Sequence, residues 1–457
     1  MTKTIFKSII LVILVAISIY QTALLWFDYP SDRNFFYTFI DEENANLNAE
    51  EVINYDFFLP EKIAVYLGSS VASYRLKMLT KSDDVELTND NIRQILNALT
   101  LGNPIEETIP LDQLWEKQHI LYMMPFSISK TMIEANFGSV GSWMPDDFLI
   151  DRIYIYPSEN IDDLVFIFAD KTLDNRIGCT LPIEDEKIVN NALLRYMEQT
   201  IADNGINYIS TKQNGLNSFV FDQLLPSNSQ SLDLLENLYS DRYFYEEISR
   251  NDEAIEQFAD YFFDFPENKW TIVSEDDMRF GDLYAIVSYS TKGLFEYKLI
   301  EEIESKKTTL NKSFSVAKSF LLKDSLLGQI EYYLDDYSES ETGYTFYFNY
   351  MYRGIPLIFD RMKTEFELYY PMQITVVGNT VTSYQRLLWK NQELLIQGNP
   401  IEVVLQKPID DLLAFNPEAN GTIEDMYLAY HVEELSDGAY LKWIIDLEKV
   451  RYFSELE

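Results

Sequence analysis

Ser8–Phe27, SIILVILVAISIYQTALLWF, runs for twenty residues without a charge. At 1.5 Å of rise per residue, a helix of that length spans the roughly 30 Å hydrocarbon thickness of a bilayer. The segment therefore reads as a single transmembrane anchor, and no later segment reaches eighteen uncharged apolar residues. Lys3 and Lys7 precede it, whereas Asp28, Asp32, Asp41, Glu42 and Glu43 follow with only Arg33 among them. That bias places the N-terminus in the cytoplasm and the rest of the chain outside the cell membrane. Trp26, Phe27 and Tyr29 stand where an outer aromatic belt would lie. A cleaved signal peptide is the competing reading. The apolar run is longer than the usual 7–15 residues, and no small-x-small site precedes Asp28.

Within this helix, Ser18, Gln21 and Thr22 fall within about 100° of one another, and Leu11, Leu14 and Leu25 extend the same stripe. Polar side chains in hydrocarbon are satisfied by a neighbouring helix, so these six residues are the candidate partner-binding face. Ser and Thr can instead bond back to their own helix, in which case the segment is a tether only.

The chain beyond the anchor is too long for one hydrophobic core, so several domains are expected. We read a cytoplasmic tail over 1–7, the anchor over 8–27, a linker over 28–56, and α+β domains over 57–203, 204–305 and 306–457. The fold class is α+β, with antiparallel meander sheets and a duplicated helix-plus-sheet unit. In the first domain, Leu59–Gly68 reads as a strand, Leu87–Gly102 and Glu184–Ile201 as helices, and Asp151–Pro157 with Asp163–Asp170 as a strand pair. Further on, Glu253–Phe262 is amphipathic, Leu283–Ser290 and Leu294–Ile300 form a hairpin, and Lys312–Leu334 has helical spacing. The strongest β signals follow. Thr342–Asp360 turns at Arg353-Gly354, Met372–Lys390 turns at Gly378-Asn379, and Asp425–Val432 pairs with Tyr440–Leu447.

Composition narrows the function. Thirty-six basic residues against 74 acidic ones give a net charge of −38, which repels phosphate backbones and argues against nucleic acid as a partner. The lone Cys179 cannot close an internal disulfide, and it reads as a small buried hydrophobe. With only His119 and His431, a Ser-His-Asp or Cys-His machine has little to work with. There is no HExxH, GxGxxG, P-loop or EF-hand pattern, and no cofactor is expected. Ser127-Ile128-Ser129-Lys130 matches the SxxK of penicillin-binding enzymes, but no KTG follows and a second copy, Ser315–Lys318, sits in a plain amphipathic stretch. Asp335, Asp336, Glu339 and Glu341 lack calcium-loop geometry and read as a solvated acidic loop.

Several of these segments together carry a family likeness. The anchor, YTFYFNYMYRGIPLIF, VVGNTVTSYQRLLW and the closing DMYLAYHV with LKWIIDLE resemble the YycH/YycI regulatory proteins, and Asp147–Pro157 resembles the first domain of the YycH branch. The likeness covers about residues 310–447 and the anchor well, and 57–200 fairly. It implies a membrane-anchored, non-enzymatic accessory of a WalK-like sensor histidine kinase in low-GC Gram-positive bacteria. Such an accessory acts by protein contact, together with a YycI-like sister protein, in the two-component control of cell-wall metabolism. It brings no catalytic residues with it. The alternative is a cell-wall-associated hydrolase or ligand-binding protein.

Overall fold

The computed structural model describes residues 55–457 apart from several segments, the longer ones being 79–91, 183–206, 239–251, 360–367 and 390–400. The anchor, its six-residue face and the linker to Ile53 lie outside the described residues, as does the helix read over Glu184–Ile201. Asn54–Glu457 forms one compact unit. None of its described helices is long and apolar enough to cross a membrane.

The unit is α+β, with two large sheets and few helices. Nine strands build the first sheet: β1 (Lys62–Tyr66), β2 (Tyr74–Met78), β3 (Asn103–Pro104), β4 (His119–Ser129), β5 (Leu149–Pro157), β6 (Asp163–Ala169), β7 (Arg176–Pro182), β8 (Asn207–Ser210) and β9 (Leu224–Pro226). Their order is β3-β7-β6-β5-β4-β1-β2-β8-β9, and every pair is antiparallel. Its helices are α1 (Leu111–Glu116) and α2 (Lys130–Phe137). Residues 95–101 are also helical and stop at Gly102, where the sequence places a helix end.

β10 (Gln230–Leu232) leads to the second sheet, which contains β11 (Asn237–Leu238), β12 (Trp270–Val273), β13 (Asp277–Gly281), β14 (Ala285–Ser290), β15 (Leu294–Leu299), β16 (Glu331–Glu339), β17 (Gly343–Tyr352), β18 (Ile355–Phe359), β19 (Met372–Val377) and β20 (Thr380–Leu387). It closes with β22 (Ile423–Val432), β23 (Ala439–Leu447) and β24 (Val450–Ser454), while β21 (Ile401–Val403) pairs with β10. Helices α3 (Asp252–Asp260), α4 (Leu310–Leu321) and α5 (Gln406–Phe415) each precede a run of antiparallel strands. Residues read as a central domain contribute β8 and β9 to the first sheet and β11–β15 to the second.

Two tight turns set the centre of this sheet. Arg353 and Gly354 both have positive φ, 48° and 78°, as a two-residue type I′ hairpin requires. Gly378 has φ 58° at the first turn position between β19 and β20, where a type II′ hairpin favours glycine. One edge of β17 pairs along its length with β16; the opposite edge is shared by β19 over 343–348 and β18 over 350–352. The sheet forks there, and β18 joins the β22-β23-β24 arm through its one parallel pairing among the described strands.

The helix read over Lys312–Leu334 is shorter than its periodicity. α4 starts at the Thr309 cap, whose side chain accepts from Lys312 N, and buries Leu310, Phe314, Ala317, Phe320 and Leu321 against β17, β19 and β20. It ends because Asp324 takes over the next backbone donors, accepting from Leu326 N and Leu327 N at 3.0 and 2.9 Å. The other Asp324 oxygen receives Arg386 Nη1 at 2.6 Å and Tyr384 Oη at 2.7 Å in the dry core. Breaking such a buried pair by removing one partner costs about 3–5 kcal/mol, because the other charge is left uncompensated. The chain beyond Ile330 is then free to enter β16.

One apolar core runs through both sheets. Phe57, in the 3₁₀ turn Tyr55–Phe58, bridges them: its ring lies 5.1 Å from Phe126 of β4, 5.2 Å from Phe314 of α4, and 5.6 and 6.2 Å from Tyr337 and Phe346. Phe57→Ala is therefore expected to cost about 3–5 kcal/mol, and Leu322→Ala, at a side chain 85 % exposed, less than about 0.5 kcal/mol. Urea unfolding of the two variants checks this; equal midpoints would mean that Phe57 does not link the sheets.

Candidate functional site

Backbone irregularities in three strands converge on one place. In β4 the register with β5 breaks between Met123 and Ile128, a stretch that contains Pro125. In β16 it shifts between Leu334 and Asp336, leaving Asp335 unpaired against β17. In β22 it shifts between Ile423 and Asp425, leaving Glu424 as the extra residue. Bulges re-aim side chains and collect beside functional sites. Pro125, Asp335 and Glu424 all line a cavity of about 400 Å³ between the two sheets. A second cavity of about 500 Å³ shares Lys62, Met123, Gln223, Pro356, Asp425 and Tyr427 with it.

The cavity is polar and mixed in sign. Lys62 Nζ lies 2.8 Å from Glu61 and 5.9 Å from the centre of the Tyr427 ring. Burial pulls the Lys62 ammonium down, but Glu61 and Asp425 outweigh it and leave it above its usual value. Arg451 grips Asp446 with two hydrogen bonds, at 2.8 and 3.0 Å. Asp335 is pushed up to about 7, first by burial and then by the charges of Glu61 and Asp336, against the opposing hydrogen bond from Asn349 and the charge of Lys62. Asp425 is likewise raised by burial, with Lys62 opposing and Glu61 and Asp446 reinforcing. The acidic loop read over Asp335–Glu341 is thus corrected: Asp335, Asp336 and Glu339 belong to β16, with Asp335 turned into the cavity by its bulge.

A second buried network anchors the rim. Asp222 Oδ1 accepts from Ser210 Oγ at 2.6 Å and Lys212 N at 3.0 Å, while the Arg152 guanidinium reaches its Oδ2 at 3.5 Å and its backbone carbonyl. Ser127 Oγ and Lys171 N both donate to Asp151. Val220 N donates to Ile423 O and Gln223 Nε2 to Glu424 O, so the 211–223 loop ties the first sheet to β22.

The residues singled out from sequence are placed as follows. Ser127 is bonded to Asp151, Ser129 caps α2 by accepting from Met132 N, and Lys130 is held by Asp146 at 2.9 Å and Met144 O at 3.0 Å. Serine and lysine of the SxxK match are therefore committed to different partners. In the second copy, Ser315 donates back to Asn311 O. His119 is buried among Tyr66, Tyr74 and Tyr154, its Nδ1 2.9 Å from Lys117 O, and burial pulls it down to about 4. His431 stacks on Phe453 at 3.9 Å with Glu433 at 3.8 Å. The Cys179 thiol is buried, donates to Ala98 O and is pushed up to about 12. Among the described residues, no group of three or more His, Cys, Asp or Glu is disposed to hold a metal ion.

Comparison with known proteins resolves the fold. No protein-family model matches the chain, nor does any curated protein sequence. Among solved structures it is similar to YycH from Bacillus subtilis, with a TM-score of 0.50 and 12% identity, covering 87% of this chain and 95% of that one. A Bacillus megaterium YpeB C-terminal domain also aligns, at TM-score 0.26 and 11% identity, over 45% of this chain and 93% of its own length. The fold is YycH-like, and the resemblance read from the closing strands and hairpins is borne out at that level.

The raised Asp335 carries a pH consequence. It is protonated in the folded chain up to about pH 7 but ionised in the unfolded chain above about 4, so its contribution to stability is fully present below pH 4 and is lost as pH rises through 7. Buried His119 acts with the opposite sign between about pH 4 and 6.5. The two largely offset each other in the wild type, so Asp335 must be read by difference. Relative to Asp335→Asn, the wild type is expected to lose stability between pH 5 and 7 at a slope approaching about 1.4 kcal/mol per pH unit. Urea titrations at each pH check this; parallel curves for the two proteins would contradict it.

Proposed function

We propose that this chain is a membrane-anchored, extracytoplasmic regulator that acts by contact with a WalK-like sensor histidine kinase, together with a YycI-like sister protein, in two-component control of cell-wall metabolism. The single observation that supports this most is a YycH-like fold spanning 87% of the chain, which coincides with a sequence likeness to the same family. Anchor and fold play separate parts in this reading. Ser8–Phe27 fixes the chain in the cell membrane with its N-terminus in the cytoplasm, and the stripe of Leu11, Leu14, Ser18, Gln21, Thr22 and Leu25 meets partner helices. There, interhelical hydrogen bonds contribute on the order of 0.6–2 kcal/mol each. The reading is non-enzymatic, with the serine, lysine and histidine of the catalytic look-alikes committed to structural partners.

The polar cavity at the three bulges favours a second reading, a ligand-binding protein of the cell wall, because convergent polar groups in a concave site are what such a protein needs. Crosslinking in membranes of a cell making the full tagged chain separates the two. Recovery of a histidine kinase is expected, reduced several-fold by Gln21→Leu with Ser18→Leu and unchanged by substitutions at Ile13 and Ile17. Absence of any kinase, with retention of peptidoglycan fragments by the purified chain, would replace the regulator with a wall-ligand-binding protein.

A further inference from the structure

The free margins of the two sheets are not treated alike. β3 is two residues long and contains Pro104, and β9 is three residues long and ends in Pro226. β24 carries Arg451, paired to Asp446 across the strand. Short length, proline and charge are the ordinary devices that stop a sheet edge from pairing with another chain. β12, four residues long, has neither proline nor charge. It is WTIV, at the end of the second sheet. Its only strand partner among the described residues is β13.

Both faces of β12 are open as well. Trp270 is 41 % exposed, Ile272 57 % and Val273 52 %. Trp270 lies over Gly281 of β13, where a Cβ would sit 2.2 Å from its ring. This cross-strand cover of a glycine holds the strand in register and leaves its outer edge presented. Tyr284 and Leu283, in the turn that follows Gly281, and Phe265, just before the strand, are also exposed, so apolar surface continues around the Trp270 end.

Charge selects the occupant. The nearby cations are already engaged: Lys269 is held by Glu256 and Asp260 at 2.9 and 2.7 Å, and Arg279 lies 3.5 Å from Asp277. Glu267 and Glu275 flank the strand without compensating cations beside them in sequence. A second copy of this chain, itself at −38, brings like charge to an acidic margin. A strand with apolar residues flanked by lysine or arginine meets it with opposite charge.

We propose that β12 is a docking edge for β-augmentation, taking an extended, basic-flanked segment of a different protein as an added strand of the second sheet. Backbone hydrogen bonds along residues 270–273 supply the pairing, and the exposed Trp270, Ile272 and Val273 supply apolar surface for the added strand's alternate side chains. The inference rests on the reading of the chain as one that works through protein contact. Its test involves no kinase, so the two can fail separately.

The full chain in detergent is titrated with a synthetic Lys-flanked Thr-Val-Thr-Val-Thr peptide while amide hydrogen exchange is followed. Exchange at residues 270–273 is expected to slow at least tenfold. Protection should be lost with a Glu-flanked version, with a version N-methylated at every internal amide, and in Ile272→Lys. Because Ile272 is exposed, that variant is expected to keep the wild-type unfolding midpoint. No slowing at 270–273, or equal slowing by the N-methylated or Glu-flanked peptide, would overturn the proposal. So would concentration-dependent dimerisation of the chain alone that Ile272→Lys abolishes, since the edge would then be occupied by a second copy.

Discussion

The packing of Phe57 between the sheets is the contact on which the rest of the structure depends. A two-sheet molecule of this size could have settled as two independently buried domains. Instead a single 3₁₀ turn at the start of the described chain inserts one ring among Phe126, Phe314, Tyr337 and Phe346. The apolar core is continuous across this seam, where Phe126 of the first sheet also meets Tyr337 of the second directly, at 5.1 Å. Aromatic pairs contribute about 0.5–1.5 kcal/mol each beyond the area they bury, and a ring that makes several at once couples the elements it touches. Burial between the sheets raises Asp335 and Asp425, and the Lys62–Glu61 pair is largely shielded from solvent there.

The seam also explains where the strands break. A regular strand alternates its side chains between two faces, and a slip in that alternation changes which residues face the other sheet. Slips occur in β4, β16 and β22, and each places its residues on the cavity wall. The cavity is thus a product of sheet-to-sheet docking rather than of any one motif. The β12 margin lies at the far end of the second sheet's order, beyond β13, β14 and β15. Cavity and edge are therefore separate surfaces for separate tasks.

How much of this was legible in the sequence follows from the range of the interactions involved. The Arg353-Gly354 and Gly378-Asn379 hairpins were readable because a two-residue turn states its backbone requirement locally, and the paired strands around 151–169 and 425–447 were readable from their alternation. The closing hairpins also carried the family likeness that the fold supports. The end of α4 was not readable. Helical spacing continues past Leu321, but Asp324 turns the chain by accepting from Leu326 N and Leu327 N while Tyr384 and Arg386, some sixty residues away, hold its other oxygen. Nor was the role of Asp335. The adjacent Asp335-Asp336 pair interrupts the alternation of YYLDDYS, which is the one local sign of a bulge, but only pairing with β17 shows which carboxylate turns inward. The parallel join of β18 to β22 and the crossing of β15 to β20 are long-range choices that no local pattern encodes.

The most direct test of the seam as the organising interaction is native-state hydrogen exchange across a urea series on the Asn54–Glu457 unit. The slowest amides of β5 and β6 in the first sheet, and of β19 and β20 in the second, are expected to share one opening free energy and one denaturant slope, as members of a single cooperative unit do. If β19 and β20 exchange through an opening that leaves β5 and β6 protected, or the reverse, the sheets unfold independently and the contact at Phe57 does not bind them into one molecule.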